Sequence, residues 1–280
     1  MVSPNLIPPS ESATSDRPPS NAGETTGRIV PSVFGVPAIA IPTLVTSASA
    51  LCGLIAINCA MAERFEQAVL FVLTAAAFDA IDGQAARRFN CASQFGVELD
   101  SLVDFLSFGI APGIIVYIWG LETSPTIGFP IIAFYVLCCA YRLARFNAAA
   151  LTKLEAKSDP GFFQGVPAPA GAMCALLPLM WTFSSGSTWS QSWLGTAFVM
   201  ITTSFLMVST VPTISSKMIA ARLSSAKILA GTLLLGGCFL LFPYWSVLTF
   251  AVLGYVASVP ISLILMRTSR RRDSLKHPGT

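Results

Sequence analysis

Charge is what this sequence has least of. Only 11% of the 280 residues are Asp, Glu, Lys or Arg, against 54% hydrophobic, and the mean hydropathy is +0.68. A soluble domain carries about 25% charged residues, so the composition points to a polytopic membrane protein. Histidine is nearly absent: the one copy, His277, sits in the tail. Histidine-based acid–base catalysis and most zinc sites are thereby removed from consideration. The seven cysteines (52, 59, 91, 138, 139, 174 and 238) are odd in number and form no CxxC pair. They read as small buried residues rather than ligands or a disulfide framework. Residues 1–28 have no basic start and no compact apolar core, so no signal peptide is expected there.

What is present is a series of apolar runs near 43–61, 66–88, 96–118, 127–148, 167–184, 192–211, 226–242 and 245–266, each close to the length of about 20 residues that a spanning helix needs. The expected fold is therefore all-α, a polytopic bundle of about eight transmembrane helices. Residues 1–28, rich in Ser, Pro and Thr, are expected to form a disordered cytoplasmic arm. Residues 29–42, broken by Pro31, Pro37 and Pro42, are expected to lie at the interface. The transmembrane domain is then expected over 43–267, and 268–280 as a basic cytoplasmic tail. With both termini cytoplasmic, only Arg64 of the seventeen Lys and Arg residues falls on the far side, as the positive-inside rule requires. Anionic lipid and this orientation rule account for the net charge of +3 without a nucleic-acid partner.

Four of the seven aspartates interrupt this apolar background within one window: Asp79-x2-Asp82-Gly83-x2-Ala86-Arg87-x8-Gly96-x3-Asp100-x3-Asp104. Asp79 and Asp82 are three apart and Asp100 and Asp104 four apart, so on helices each pair shares a face. An uncompensated Asp near the bilayer centre costs about 2.5–3.5 kcal/mol, hence on the order of 10 kcal/mol for four. Arg87 offers one positive charge against them, and divalent cations are the natural remainder. An all-carboxylate set suits hard ions such as Mg²⁺ or Mn²⁺. Taken alone, the aspartates would also serve a cation transporter; the Gly, Ala and Arg at their own spacings have no evident use in an ion path.

Those eight spaced positions resemble, without a departure, the signature of the CDP-alcohol phosphatidyltransferase family. At roughly one residue type in twenty per position, chance agreement is negligible. The resemblance implies that Asp79, Asp82, Asp100 and Asp104 carry metal, with two ions expected, and that Asp104 is the general base. It also implies CDP-diacylglycerol as a substrate and a homodimeric assembly. Physical chemistry assigns compatible tasks. Carboxylates on facing helices can hold two ions against a diphosphate. Gly83 and Ala86 are small enough to admit a nucleotide to the helix backbone, with Gly96 part of the same binding motif, and Arg87 can pair with phosphate oxygens. An alcohol acceptor must lose a proton during attack, and without histidine an Asp must take it.

Further stretches bear on the acceptor. Ser107-Phe-Gly-x-Ala-Pro112, Arg142-Leu-Ala-Arg145-Phe-Asn147 and Phe162-Phe-Gln164-Gly165-Val-Pro167-Ala-Pro169 resemble the phosphatidylserine-forming branch of the family, which implies L-serine as acceptor and CMP as leaving group; a bacterial plasma-membrane location is expected, and the orientation of the basic residues puts the active site at the cytoplasmic face. Arg142 and Arg145 could meet the serine carboxylate or a phosphate, and Asn147 and Gln164 the ammonium group. Gly165, Pro167 and Pro169 are expected to shape a tight loop. Glycerol 3-phosphate, inositol, inositol phosphate and choline remain alternative acceptors. Direct displacement and a phosphatidyl-enzyme intermediate are both compatible with the residues.

Overall fold

The computed structural model describes the backbone of residues 32–33, 36–37, 40–89, 94–151, 162–186, 192–209, 212–214 and 243–259, and side chains within 43–83, 95–149, 165–186, 192–209 and 243–259. The expected arm, the basic tail and the seventh apolar run lie outside these residues.

Helix α1 (Ala40–Met61) begins slightly ahead of the expected boundary because Pro42 falls in its first turn, where a missing N–H is tolerated. A tight turn through Glu63, which adopts φ 58°, reverses the chain into α2 (Phe65–Phe89). Ahead of α1, β1 (Ser32–Val33) and β2 (Val36–Pro37) pair antiparallel within the segment expected to be interfacial. Buried alanines, Ala56 and Ala60 on α1 and Ala68 and Ala75 on α2, let the two helices pack along one another. Opposite them, Leu44, Leu51, Leu54 and Ile55 of α1 are exposed, as a lipid-facing surface requires.

The third apolar run is one continuous helical rod with changing pitch: α3 (Gln94–Asp104), a π-helical segment Phe105–Ile110, α4 (Ala111–Val116) and a second π-helical segment Tyr117–Leu121. A uniform helix was expected here. Pro112 has no N–H, so the carbonyl of Phe108, four residues back, loses its α-helical donor. Tyr135 Oη, fully buried, donates to that carbonyl at 2.7 Å.

Helix α5 (Pro125–Leu151) packs along α8 (Trp193–Val208). Between them the chain forms α6 (Ala168–Ala175) and α7 (Leu177–Ser185) where a single helix was expected, because Pro178 removes the N–H that would close the turn across Leu176. Strand β3 (Phe162–Gln164) pairs antiparallel with β4 (Pro212–Ile214), joining the approach to α6 to the exit from α8. The last described helix, α9 (Tyr244–Val259), contacts α7 through Phe183–Trp245 ring packing and a 2.8 Å hydrogen bond between the Ser184 and Ser246 hydroxyls.

Residues Thr43–Met61, Phe95–Leu121 and Pro125–Ala149 are each long and apolar enough to cross a membrane. The core between the helices is built from fully buried Phe108, Ile115, Tyr135, Leu176, Leu179 and Met200. The described chain is that of a helical membrane protein, and the carboxylates within it collect where α2 meets α3.

Candidate active site

Helical spacing puts Asp79 and Asp82 on the side of α2 that meets α3, and the sequence intervals act as expected. Asp79, Asp82 and Asp100 each present a carboxylate oxygen within 4.8 Å of the others. Asp104 lies one turn beyond Asp100, with its carboxyl within hydrogen-bonding reach of Asp79. The four predicted aspartates are thus brought together from two helices.

Carboxylates at this range repel by roughly 3 kcal/mol per pair at an effective dielectric of about 20. Asp82 is only 5% exposed, so water does not dissipate that repulsion. Three convergent oxygen ligands, with no sulfur or imidazole among them, fit a hard divalent cation. Such an ion would neutralise charge that the protein itself offsets only in part. The one guanidinium found acting on Asp104 among the described residues is that of Arg142, reaching in from α5.

The carboxylates are also oriented from behind. Thr46 Oγ1 of α1 donates to Asp82 Oδ2 at 2.8 Å, with both residues buried. One turn along, Ser49 Oγ donates to the Ala75 carbonyl at 3.0 Å, the same carbonyl that the Asp79 N–H meets within α2. Ser107 Oγ donates to the Ser49 carbonyl at 3.3 Å. At Gly53, a Cβ would stand 2.7 Å from Ser107 Oγ and 3.2 Å from Ser107 Cα, so only glycine allows α1 this close to the rod that carries Asp100 and Asp104. These α1 residues were not expected to belong to the site. Their signal was present in the sequence, since Thr46, Ser49 and Gly53 are small residues at helical spacing.

The remaining predicted residues divide by location. Gly83 follows Asp82 in α2, and Gly96 lies in the first turn of α3. Helix α2 continues through Ala86 and Arg87, whose side chains, like that of Gln164, are outside the described residues. Arg142 donates from Nε to the Val166 carbonyl at 2.6 Å, while Arg145 donates from Nη1 to the Val208 carbonyl at 2.9 Å. Asn147 does not stand alone either: its Nδ2 donates to Ser101 Oγ at 2.8 Å, tying α5 to the helix that carries Asp100 and Asp104. Gly165 has φ +80° and shapes the loop ahead of α6, as expected.

Comparison with known proteins gives a consistent picture. Residues 39–209 match the family model described as CDP-alcohol phosphatidyltransferase. The CDP-diacylglycerol–serine O-phosphatidyltransferase of Mycobacterium tuberculosis is 32% identical over 228 residues, 80% of this chain and 78% of that protein. The enzyme of the same description from Helicobacter pylori is 37% identical over 156 residues, covering 54% of this chain and 64% of its own length. That from Bacillus subtilis is 37% identical over 137 residues, 49% of this chain and 73% of the relative.

Proposed function

The chain belongs to the CDP-alcohol phosphatidyltransferase family, and on that premise we propose that it transfers the phosphatidyl group of CDP-diacylglycerol to L-serine, forming phosphatidylserine and releasing CMP. The observation that carries the proposal is the convergence of Asp79, Asp82 and Asp100 within 4.8 Å, beside Asp104 and Arg142. The descriptions of the relatives supply the acceptor.

In this mechanism Asp79, Asp82, Asp100 and Asp104 would hold Mg²⁺ or Mn²⁺, two ions in all, which when bound would supply positive charge to the diphosphate and to the departing phosphate. Gly83, Ala86 and Gly96 admit the cytidine nucleotide, and Arg87 pairs with its phosphate oxygens. Asp104 accepts the proton of the serine hydroxyl as that oxygen bonds to the diacylglycerol-bearing phosphorus and the phosphorus–oxygen bond to CMP breaks. Arg142 stands beside Asp104, placed to receive the serine carboxylate or a phosphate oxygen, and Gln164 lies in the adjoining strand. The acyl chains remain in the bilayer, against the exposed apolar faces of the bundle. We place eight spans in the bacterial plasma membrane, with both termini and the site cytoplasmic, and a homodimer as the assembly.

The test is CMP release from CDP-diacylglycerol by purified protein with Mg²⁺ or Mn²⁺, supplied in turn with L-serine, glycerol 3-phosphate, inositol, choline or no acceptor. Release driven by serine, with phosphatidylserine as product, is expected. Release driven by another alcohol would overturn the acceptor, and no release with any of them would overturn the reaction.

A further inference from the structure

Arg142 and Arg145 stand three residues apart on α5, and each guanidinium is held by backbone carbonyls of a different, distant segment. Arg145 Nη1 donates to Val208 O at 2.9 Å and Nη2 reaches Ser209 O at 3.5 Å. These carbonyls close α8, where the last turn has no intrahelical donors and the helix dipole favours a cation. Arg142 Nε donates to Val166 O at 2.6 Å. Between the two contacts lies Gly165: at φ +80°, a Cβ there would stand 2.7 Å from Ser209 O, 3.1 Å from Met207 O and 3.4 Å from Arg145 Nη2. The loop entering α6 is therefore pressed directly against the carbonyls that Arg145 caps. Strands β3 and β4 continue the same junction, with Gln164 opposite Pro212.

We infer that Arg145 is a positioning residue: by fastening the end of α8 to the loop that enters α6, it builds the ledge on which Arg142 is held beside Asp104. The geometry has a definite order. Arg145 fixes Val208 and Ser209, these fix Gly165, and the next residue, Val166, receives Arg142 Nε. With its Nε committed to Val166, the Arg142 guanidinium has a set orientation from which its charge acts on Asp104, and its Nη groups remain to meet substrate. Arg145 thus acts on the chemistry through Arg142. The inference deepens the phosphatidyl-transfer proposal and depends on it only for a kinetic readout.

Hydrogen–deuterium exchange of the substrate-free, full-length protein in detergent tests the ledge independently of activity. In Arg145→Gln, exchange over 162–166 and 208–214 should rise together, by about tenfold, as the charged hydrogen bonds are lost. Arg145→Lys, which keeps a cation at the helix end, should lie between it and wild type. Turnover with saturating substrates should fall by about 10²-fold, the scale of a small misplacement in a catalytic site, while Mn²⁺ affinity stays at the wild-type value. Gly165→Ala should give the same paired rise in exchange, and the double variant should be no worse than the worse single one, because both changes break one junction. Wild-type exchange in substrate-free Arg145→Gln, with only the KM for one substrate raised, would make Arg145 a direct substrate contact and overturn the inference. A rise confined to one of the two segments would overturn the ledge. Absence of transfer by the wild-type protein would remove the proposed reaction and leave the exchange result to decide the ledge on its own.

Discussion

Replacing Thr46 by Val removes a hydroxyl and keeps the side-chain shape. Thr46 Oγ1 donates to Asp82 Oδ2 at 2.8 Å, and each residue is 5% exposed, so bulk water does not stand in for the lost donor. A hydrogen bond to a charged acceptor contributes about 1.5–3 kcal/mol. For a carboxylate at a metal site, that energy fixes which way its oxygens point, and losing an outer partner of this kind typically lowers metal affinity by about 10- to 100-fold. Asp82 would be freed to turn away from Asp79 and Asp100, whose repulsion pushes it outward. Thr46→Val should therefore weaken Mn²⁺ binding by about 10-fold or more, read by electron paramagnetic resonance of free Mn²⁺ in titrations of substrate-free protein. The activity profile should shift to higher Mg²⁺ by the same factor and recover at saturating metal. Thr46→Ser, which retains the hydroxyl, should stay near wild type. Wild-type Mn²⁺ affinity in Thr46→Val, or an equal loss in Thr46→Ser, would refute the orienting role.

Asp104→Asn should keep Mn²⁺ binding in part, because Asp79, Asp82 and Asp100 still converge without it, while turnover falls by about 10²- to 10⁴-fold with loss of the base. Turnover at the wild-type rate would remove the base assignment. Tyr135→Phe deletes the donor to the Phe108 carbonyl and should destabilise the protein by about 1–3 kcal/mol, read as a lower midpoint of thermal unfolding in detergent. An unchanged midpoint would mean that the carbonyl freed by Pro112 is satisfied without Tyr135.

The parts of the site that could be read from sequence are those set within one helix. Asp79 and Asp82 had to share a face of α2, and Asp100 and Asp104 a face of α3, because intervals of three and four residues fix direction around a helix. Contacts between helices could not be read this way. Thr46 and Asp82 are separated by 36 positions and Arg145 and Val208 by 63; whether they meet depends on the rotation and crossing of packed helices, which composition does not encode. The same limit applies to Asn147, whose bond to Ser101 joins residues 46 positions apart. The break at Leu176 had a visible cause in Pro178, but apolar length alone passes over it, since hydropathy is the same for one helix or two.

Hydropathy is equally blind to pitch, and pitch matters most just after Asp104. The helix widens at Phe105, the residue following the proposed base, and π-helical turns often occur at functional sites. A uniform α-helix would place Ser107, Phe108 and Gly109 on three successive directions about 100° apart. In the structure all three are buried, with Ser107 bonded to the Ser49 carbonyl of α1 and Phe108 accepting from Tyr135 of α5. Within this wider turn the rod engages α1 through Ser107 and α5 through Phe108 at successive residues. Since α1 carries Thr46 and α5 carries Arg142, the π segment touches both the helix whose hydroxyl bonds Asp82 and the helix whose guanidinium charge acts on Asp104. Changes at Pro112 or Tyr135 should therefore affect both sides of the site together, although neither residue belongs to the aspartate cluster.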